Sequence, residues 1–208
     1  MYCDCVGVDE SGKGDFFGPL VAAGVYVSST EVDELVCRGV KDSKKLSDLR
    51  VGSLSKLIRD SFTYDVVVVN PPRYNELYSG MKNLNRLLAW AHCRVIENLL
   101  LRVDCSLVVA DQFGDSYFIE EALMSEGGGV KLVQRPKAED NPAVAAASIL
   151  ARDSFLKGLS RLSDLYGVNF PKGSSERAVE AGRLFAELYG MKRLGEVAKL
   201  HFRVTKKI

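Results

Sequence analysis

The run Gly7-Val8-Asp9-Glu10-Ser11-Gly12-Lys13-Gly14-Asp15 sets two adjacent carboxylates among glycines, where an apolar strand stops and the backbone must turn. Paired carboxylates hold a hard cation, and glycines let a large anionic substrate approach main-chain N–H groups. The pattern points to metal-dependent phosphate chemistry. Asp111 follows the apolar run Leu107-Val108-Val109-Ala110, so it too stands at a strand end. Neighbouring strand ends of an open α/β sheet share one rim. A fourth acid lies in Arg135-Pro136-Lys137-Ala138-Glu139-Asp140, directly before an alanine-rich segment, where Glu139 or Asp140 faces the same rim. Four carboxylates at one rim repel one another unless cations neutralise them. Two Mg²⁺ or Mn²⁺ ions are the natural occupants. Held roughly 3.5–4 Å apart, such ions activate a water nucleophile and stabilise the leaving oxygen in phosphodiester cleavage.

Each acid alone has a plainer reading. Asp9-Glu10 reads as a solvated turn, Asp111 as a helix cap, and Glu139-Asp140 as complements to the dipole of the helix that follows. Their joint placement favours a site. Gly7 through Lys13 also fits most of a nucleotide-binding loop. Gly14 stands where that loop needs a Ser or Thr for Mg²⁺, however, and Asp9 and Glu10 occupy a nest that should cradle phosphates. Lys13, Lys41, Lys44, Lys45, Arg135, Lys137 and Lys172 sit in or beside loop-like segments. Such residues are usually solubilising charges, but on the rim of an acidic cluster they suit a nucleic-acid backbone.

Elements that position these residues follow from the apolar pattern. Strands are predicted at Cys3 to Val8, Leu20 to Val27, Tyr64 to Asn70, Ser106 to Ala110 and Val130 to Gln134, all rich in β-formers. Helices are predicted at Ser29 to Cys37, Leu46 to Asp60, Asn83 to Val103, Asn141 to Leu159, Glu176 to Leu188 and Lys192 to Leu200. Asn70-Pro71-Pro72 ends the third strand, and Gly127-Gly128-Gly129 reads as a turn before the fifth. The class is therefore α/β. At 208 residues, one domain over 1–208 is expected, with a helical part from about 161 to the end.

With 28 basic and 27 acidic side chains, the net charge of +1 neither favours nor excludes nucleic acid. Cys3, Cys5, Cys37, Cys93 and Cys105 are odd in number and lack C-x-x-C spacing, as suits reduced thiols. With only His92 and His201 available, a structural zinc site is not expected. The first residues carry no export signal and no apolar run approaches membrane-spanning length. A soluble cytoplasmic protein is expected, monomeric and without an obligate protein partner.

In these motifs the chain resembles the type 2 ribonucleases H, and ribonuclease HIII more than HII. The resemblance rests on Gly7 through Leu20, Val40-Lys41-Asp42-Ser43-Lys44-Lys45-Leu46, Tyr74-Asn75-Glu76-Leu77 and Asn83-Leu84-Asn85 through Ala89-Trp90. It continues through Val144 to Arg152 and Glu196 to Phe202. HII enzymes carry Ala-Gly-Arg-Gly where this chain has Ser11-Gly12-Lys13-Gly14.

The resemblance implies a ribonuclease H-like fold: a mixed five-stranded sheet flanked by helices, with a C-terminal helical region. It implies endonucleolytic cleavage of the RNA strand of RNA–DNA hybrids, leaving 5′-phosphate and 3′-hydroxyl ends. Asp9, Glu10 and Asp111 are then metal ligands, with Glu139 as the fourth. Because the spacing from Glu139 to Ala146-Ala147-Ser148 is one residue shorter than the family pattern, Asp140 is the alternative. Ser11, Gly12, Lys13 and Gly14 would meet the substrate, the backbone contacting ribose 2′-hydroxyls, the group that marks RNA; Lys44, Lys172 and Ser174 join them.

Two departures matter. Ribonuclease HIII proteins usually carry an N-terminal substrate-binding domain before the first motif, which here begins at Gly7; weaker hybrid affinity, or reliance on other surfaces, is the expectation. Ser174 stands where HII enzymes place the tyrosine of a Lys-Gly-Tyr turn that reads an RNA–DNA junction. HII-like incision at single ribonucleotides in duplex DNA is therefore the alternative activity, expected to be inefficient.

Overall fold

Valines alternate with small residues along Cys5–Ser11, and this segment forms the central strand, β1, of a five-stranded sheet. The structure is a computed structural model and describes residues 3–111 and 130–208. The glycine turn expected at 127–129 lies outside the described residues. β2 is Leu20–Val27, β3 Tyr64–Val69, β4 Leu107–Asp111 and β5 Lys131–Arg135, in the sheet order β3-β2-β1-β4-β5. β4 runs parallel to β1 and β5 parallel to β4 within this mixed sheet. β1 begins and ends later than the sequence suggests, so Asp9 and Glu10 lie within the strand, just ahead of its last residue, Ser11, rather than directly after it.

Contacts divide the chain into two compact units. The first comprises Met1–Glu10, Ala22–Val67 and Asn83–Asp153; the second comprises Ser11–Val21, Val68–Lys82 and Ser154–Ile208. In the first unit, Val6 and Val8 of β1, Val108 and Ala110 of β4, and Ala91, Val95, Ile96 and Leu99 share one buried cluster. The last four belong to helix α4, Leu84–Leu100, whose start is capped by the Asn83 side chain accepting from the N–H groups of Asn85 and Arg86. α1, Val32–Cys37, is shorter than expected, because residues 29–31 are taken up in a turn in which the Ser28 N–H and hydroxyl donate to the Glu31 carboxylate and the Glu31 N–H donates to the Ser28 carbonyl. α2, Asp48–Ser61, is capped by Ser47. β1 meets the alanine-rich helix α5, Pro142–Tyr166, at Gly7: a Cβ there would lie 2.2 Å from Ala143 C and Val144 N. Only a glycine permits that approach.

The second unit holds the Ser11–Val21 loop and an unexpected helix, α3, Pro71–Met81. Pro71-Pro72 ends β3 as predicted but also opens this helix, since proline at N1 is preset for it. α6 is Glu176–Tyr189. The helix expected over Lys192 to Leu200 is instead a 3₁₀ turn at Met191–Glu196, after which Ala198 pairs with Phe17 as an isolated antiparallel bridge. That bridge and the burial of Lys199 require an extended backbone, which outweighs the amphipathic pattern.

Candidate active site

Parallel pairing sets Gly7 beside Val109 and Val8 beside Ala110. One step further along this register Asp9 stands beside Asp111, and paired residues of adjacent strands project from the same face. Asp9 is 8% exposed and its Oδ1 accepts the Glu10 N–H at 2.8 Å. Burial first, and then the charges of Glu10 and Asp111, push its carboxyl well above the ordinary range; the Glu10 N–H and the Lys44 ammonium pull the other way. Asp111 Oδ1 accepts the Ala138 N–H at 3.1 Å, which ties the end of β4 to the Ala138–Asp140 turn ahead of α5.

That turn separates the two candidates for the fourth acid. The Glu139 side chain is 11% exposed and meets Lys44 Nζ at 3.0 Å. Burial opposes its charge, but the Lys44 hydrogen bond and ammonium outweigh it and hold the carboxyl below its usual value. Lys44 in turn is raised, mainly by its bond to Glu139, with a further contribution from Asp9. Asp140 instead faces outward, 67% exposed, in an ion pair with Arg135. Within the first unit Asp9 thus feels the charges of Glu10, Asp111 and Lys44, Glu139 reaches the same Lys44, and Asp140 faces away.

Lys44 reaches this place from the Ser43–Lys45 turn, which α5 fastens. Ser148 Oγ accepts the Ser43 N–H at 3.2 Å, and Arg152 donates to the Ser43 carbonyl and, at 2.6 Å, to Asp48. A groove of about 730 Å³ runs alongside, lined by Lys41, Lys44, Lys45, Lys137, Glu139 and Asp140 among others. Among the described residues, no three Asp, Glu, His or Cys side chains stand close enough to share one ion. Each acid is engaged by a protein partner instead, and Glu10 by His92, whose Nε2 lies 3.1 Å from its Oε2.

In the second unit the structure brings together Ser11-Gly12-Lys13-Gly14 and the Lys172-Gly173-Ser174 turn. Gly173 N–H donates to Asp15 Oδ1 at 2.6 Å and Phe16 N–H to the Gly173 carbonyl at 3.0 Å. Gly12 has φ +88°, and a Cβ there would meet the Pro19 carbonyl at 2.2 Å, so this bend requires glycine. Lys199 Nζ braces the loop from behind, donating to the carbonyls of Asp15, Phe17 and Gly18 at 2.8–3.4 Å. Asn75 of α3 holds the Lys199 segment in turn, donating to the carbonyls of Gly195 and Ala198 and accepting the Leu200 N–H. The sequence reading missed His92, Ser148, Arg152, Asn75 and Lys199 as supports, although all but His92 lie in the recurring motifs.

The sequence model of the ribonuclease HII family matches residues 6–205, nearly the whole chain and every residue of the site just described. The chain belongs to the ribonuclease HII family. Members of this family are nucleases. Similar relatives are ribonucleases HIII: that of Protochlamydia amoebophila is 47% identical over 198 residues, covering 95% of this chain and 66% of its own length. That of Chlamydia pneumoniae is 44% identical over 206 residues, covering 98% and 69%. The chain thus spans about two thirds of the length of the curated relatives it matches. Among solved structures of the family, Bst ribonuclease HIII in complex with Mn²⁺ superposes with a TM-score of 0.91 at 32% identity, covering 99% of this chain and 68% of that one. The mixed sheet and its flanking helices, expected from the motifs, are those of the ribonuclease HII family.

Proposed function

We propose that this chain hydrolyses the RNA strand of RNA–DNA hybrids with two divalent ions, Mg²⁺ or Mn²⁺, leaving 5′-phosphate and 3′-hydroxyl ends. The observation that carries this reading is Asp9, a nearly buried carboxylate driven away from its charged form while Glu10 and Asp111 stand close by. Such an arrangement is relieved by a hard cation, and carboxylate oxygens are the donors such a cation takes. Asp9, Glu10, Asp111 and Glu139 would hold the ions. When bound, the ions supply an activated water and stabilise the leaving oxygen. The Mn²⁺ complex of the similar Bst ribonuclease HIII supports the same choice of metal.

The chain's own groups supply substrate selection. Main-chain N–H groups of Gly12-Lys13-Gly14 would meet ribose 2′-hydroxyls, with Ser11, Lys172 and Ser174 beside them. Lys44, three-quarters exposed beside Glu139, would meet a phosphate as a point charge. No helix of the described residues is long and apolar enough to cross a membrane; a monomeric enzyme acting in the cytoplasm is part of the proposal.

The test is cleavage, with Mg²⁺ or Mn²⁺, of a continuous hybrid and of a DNA duplex holding one ribonucleotide, by the wild type and Asp111→Asn. Fast cutting of the hybrid, slow cutting at the lone ribonucleotide and loss of both in Asp111→Asn are expected. Equal or faster incision at the single ribonucleotide would replace this reading with HII-like activity. A full rate in Asp111→Asn would refute the site.

A further inference from the structure

A histidine that merely fills space in a core is replaceable by an apolar residue, because a buried imidazole costs free energy unless its nitrogens are hydrogen-bonded. His92 is fully buried on α4, a helix whose other inward residues here, Ala91, Cys93, Val95 and Ile96, are apolar or weakly polar. Its Nε2 lies 3.1 Å from Glu10 Oε2, a contact between positions 82 apart in sequence. A carboxylate that holds a metal ion is ionised and only accepts, so in that state Nε2 is the donor. Hydrogen bonds to an ionised partner are stronger than neutral ones, and this one is shielded from water on the His92 side.

We infer that His92 is a positioning residue: through Glu10 it sets the affinity of the acidic site for its divalent ion. This rests on the metal-binding reading of Asp9, Glu10, Asp111 and Glu139. The His92 bond fixes one oxygen of Glu10 and with it the plane of the carboxylate, while a carboxylate has further lone-pair sites with which to take an ion. Partners that orient metal-ligating groups commonly change metal affinity by about 10–100-fold. The residues on either side of the imidazole, Ala91 and Cys93, share a buried cluster with Val6 and Val8 of β1, the strand that carries Glu10.

The experiment titrates Mn²⁺ by electron paramagnetic resonance into the full chain without substrate, for wild type, His92→Gln, His92→Asn and His92→Leu. Thermal melts establish that each variant is folded. A glutamine amide nitrogen reaches where Nε2 stands, whereas that of asparagine stops near the Nδ1 position. Gln should therefore bind Mn²⁺ within about threefold of wild type, and Asn and Leu should weaken binding by about tenfold or more. In a Glu10→Ala background the same Asn change should add no further loss, because the carboxylate that the imidazole orients is gone. Wild-type affinity in folded His92→Asn, or an equal loss with and without Glu10, would overturn the inference while leaving the metal site standing. Absence of Mn²⁺ binding by the wild type would instead sink the metal reading itself. Should His92→Leu fail to fold, the comparison of Gln with Asn, both polar, decides.

Discussion

Gly7→Ala should damage cleavage far more than stability. An alanine Cβ would sit 2.2 Å from Ala143 C and Val144 N and 2.6 Å from the Ala143 carbonyl oxygen, all backbone atoms at the start of α5. Reaching an ordinary 3.4 Å contact from 2.2 Å demands that β1 and α5 part by about 1.2 Å. Gly7 has no positive φ, so the substitution carries no conformational strain, and the strand gains slightly from losing a glycine. The net cost is that of overpacking, about 1–3 kcal/mol, or roughly 2–4 °C of Tm per kcal/mol in a chain of this size. The displacement falls between Asp9, two residues along β1, and Glu139, three residues before Pro142. A misplacement of about 1 Å in a reacting constellation can cost on the order of 100-fold in rate. Single-turnover cleavage of a labelled hybrid at saturating Mn²⁺, well below the variant's Tm, reads that loss. Gly80→Ala, whose Cβ would meet nothing within 4 Å, is the control and should cut at the wild-type rate. A folded Gly7→Ala that also cuts at that rate would refute the claim that this contact spaces the carboxylates.

Glu139→Gln should reduce cleavage at least 100-fold more than Asp140→Asn, as expected of a metal ligand against a residue paired outward with Arg135; the reverse order in a gel assay would transfer the fourth ligand to Asp140. Lys199 gives a pH signature: burial, only partly offset by Asp15, takes its ammonium from 10.5 down to about 7 in the folded chain. Between those values the unfolded chain binds more protons, so stability rises with pH across that window, by at most about 4–5 kcal/mol, since three carbonyl acceptors favour the charged form. Urea melts from pH 7 to 10 should show this slope in the wild type and not in Lys199→Met; equal slopes would refute it.

Asp9, Glu10 and Asp111 stood out because they close apolar runs of strand-formers, and period-2 patterns survive without knowledge of tertiary partners. Asp9, Glu10 and Asp111 needed only the rule that adjacent strand ends share a rim. On residue type and position alone Glu139 and Asp140 were indistinguishable in the sequence, since only the turn itself shows which carboxylate faces Lys44 and which faces Arg135. Helix α3 was hidden because Pro71-Pro72 ends one element and opens the next, and the stop was read without the start. The segment 192–200 misled for a tertiary reason. A lysine in an amphipathic pattern is read as facing water, yet Lys199 is fully buried against three carbonyls, and the backbone that carries it there is not helical. His92 gave no local signal, because its meaning lies in a partner 82 residues away.

The four acids differ in how firmly the protein holds them, and that difference bears on how ions would enter. Glu10 is held by a fully buried imidazole, Asp111 by a backbone N–H, and Asp9 by the N–H of its own neighbour. These partners sit on strands, on a packed helix and on a turn fixed between β4 and α5, and none can leave without moving the fold. Glu139 is held by Lys44, whose side chain is 75% exposed. An ion pair with so exposed a member is worth about 0–1 kcal/mol. On the proposed reading Glu139 would exchange that ammonium for a divalent ion, and Lys44 would stay at the edge of the groove lined by Lys41, Lys45 and Lys137. On that reading the side chain that neutralises Glu139 in the free chain would be the one to meet a phosphate when metal and substrate are bound.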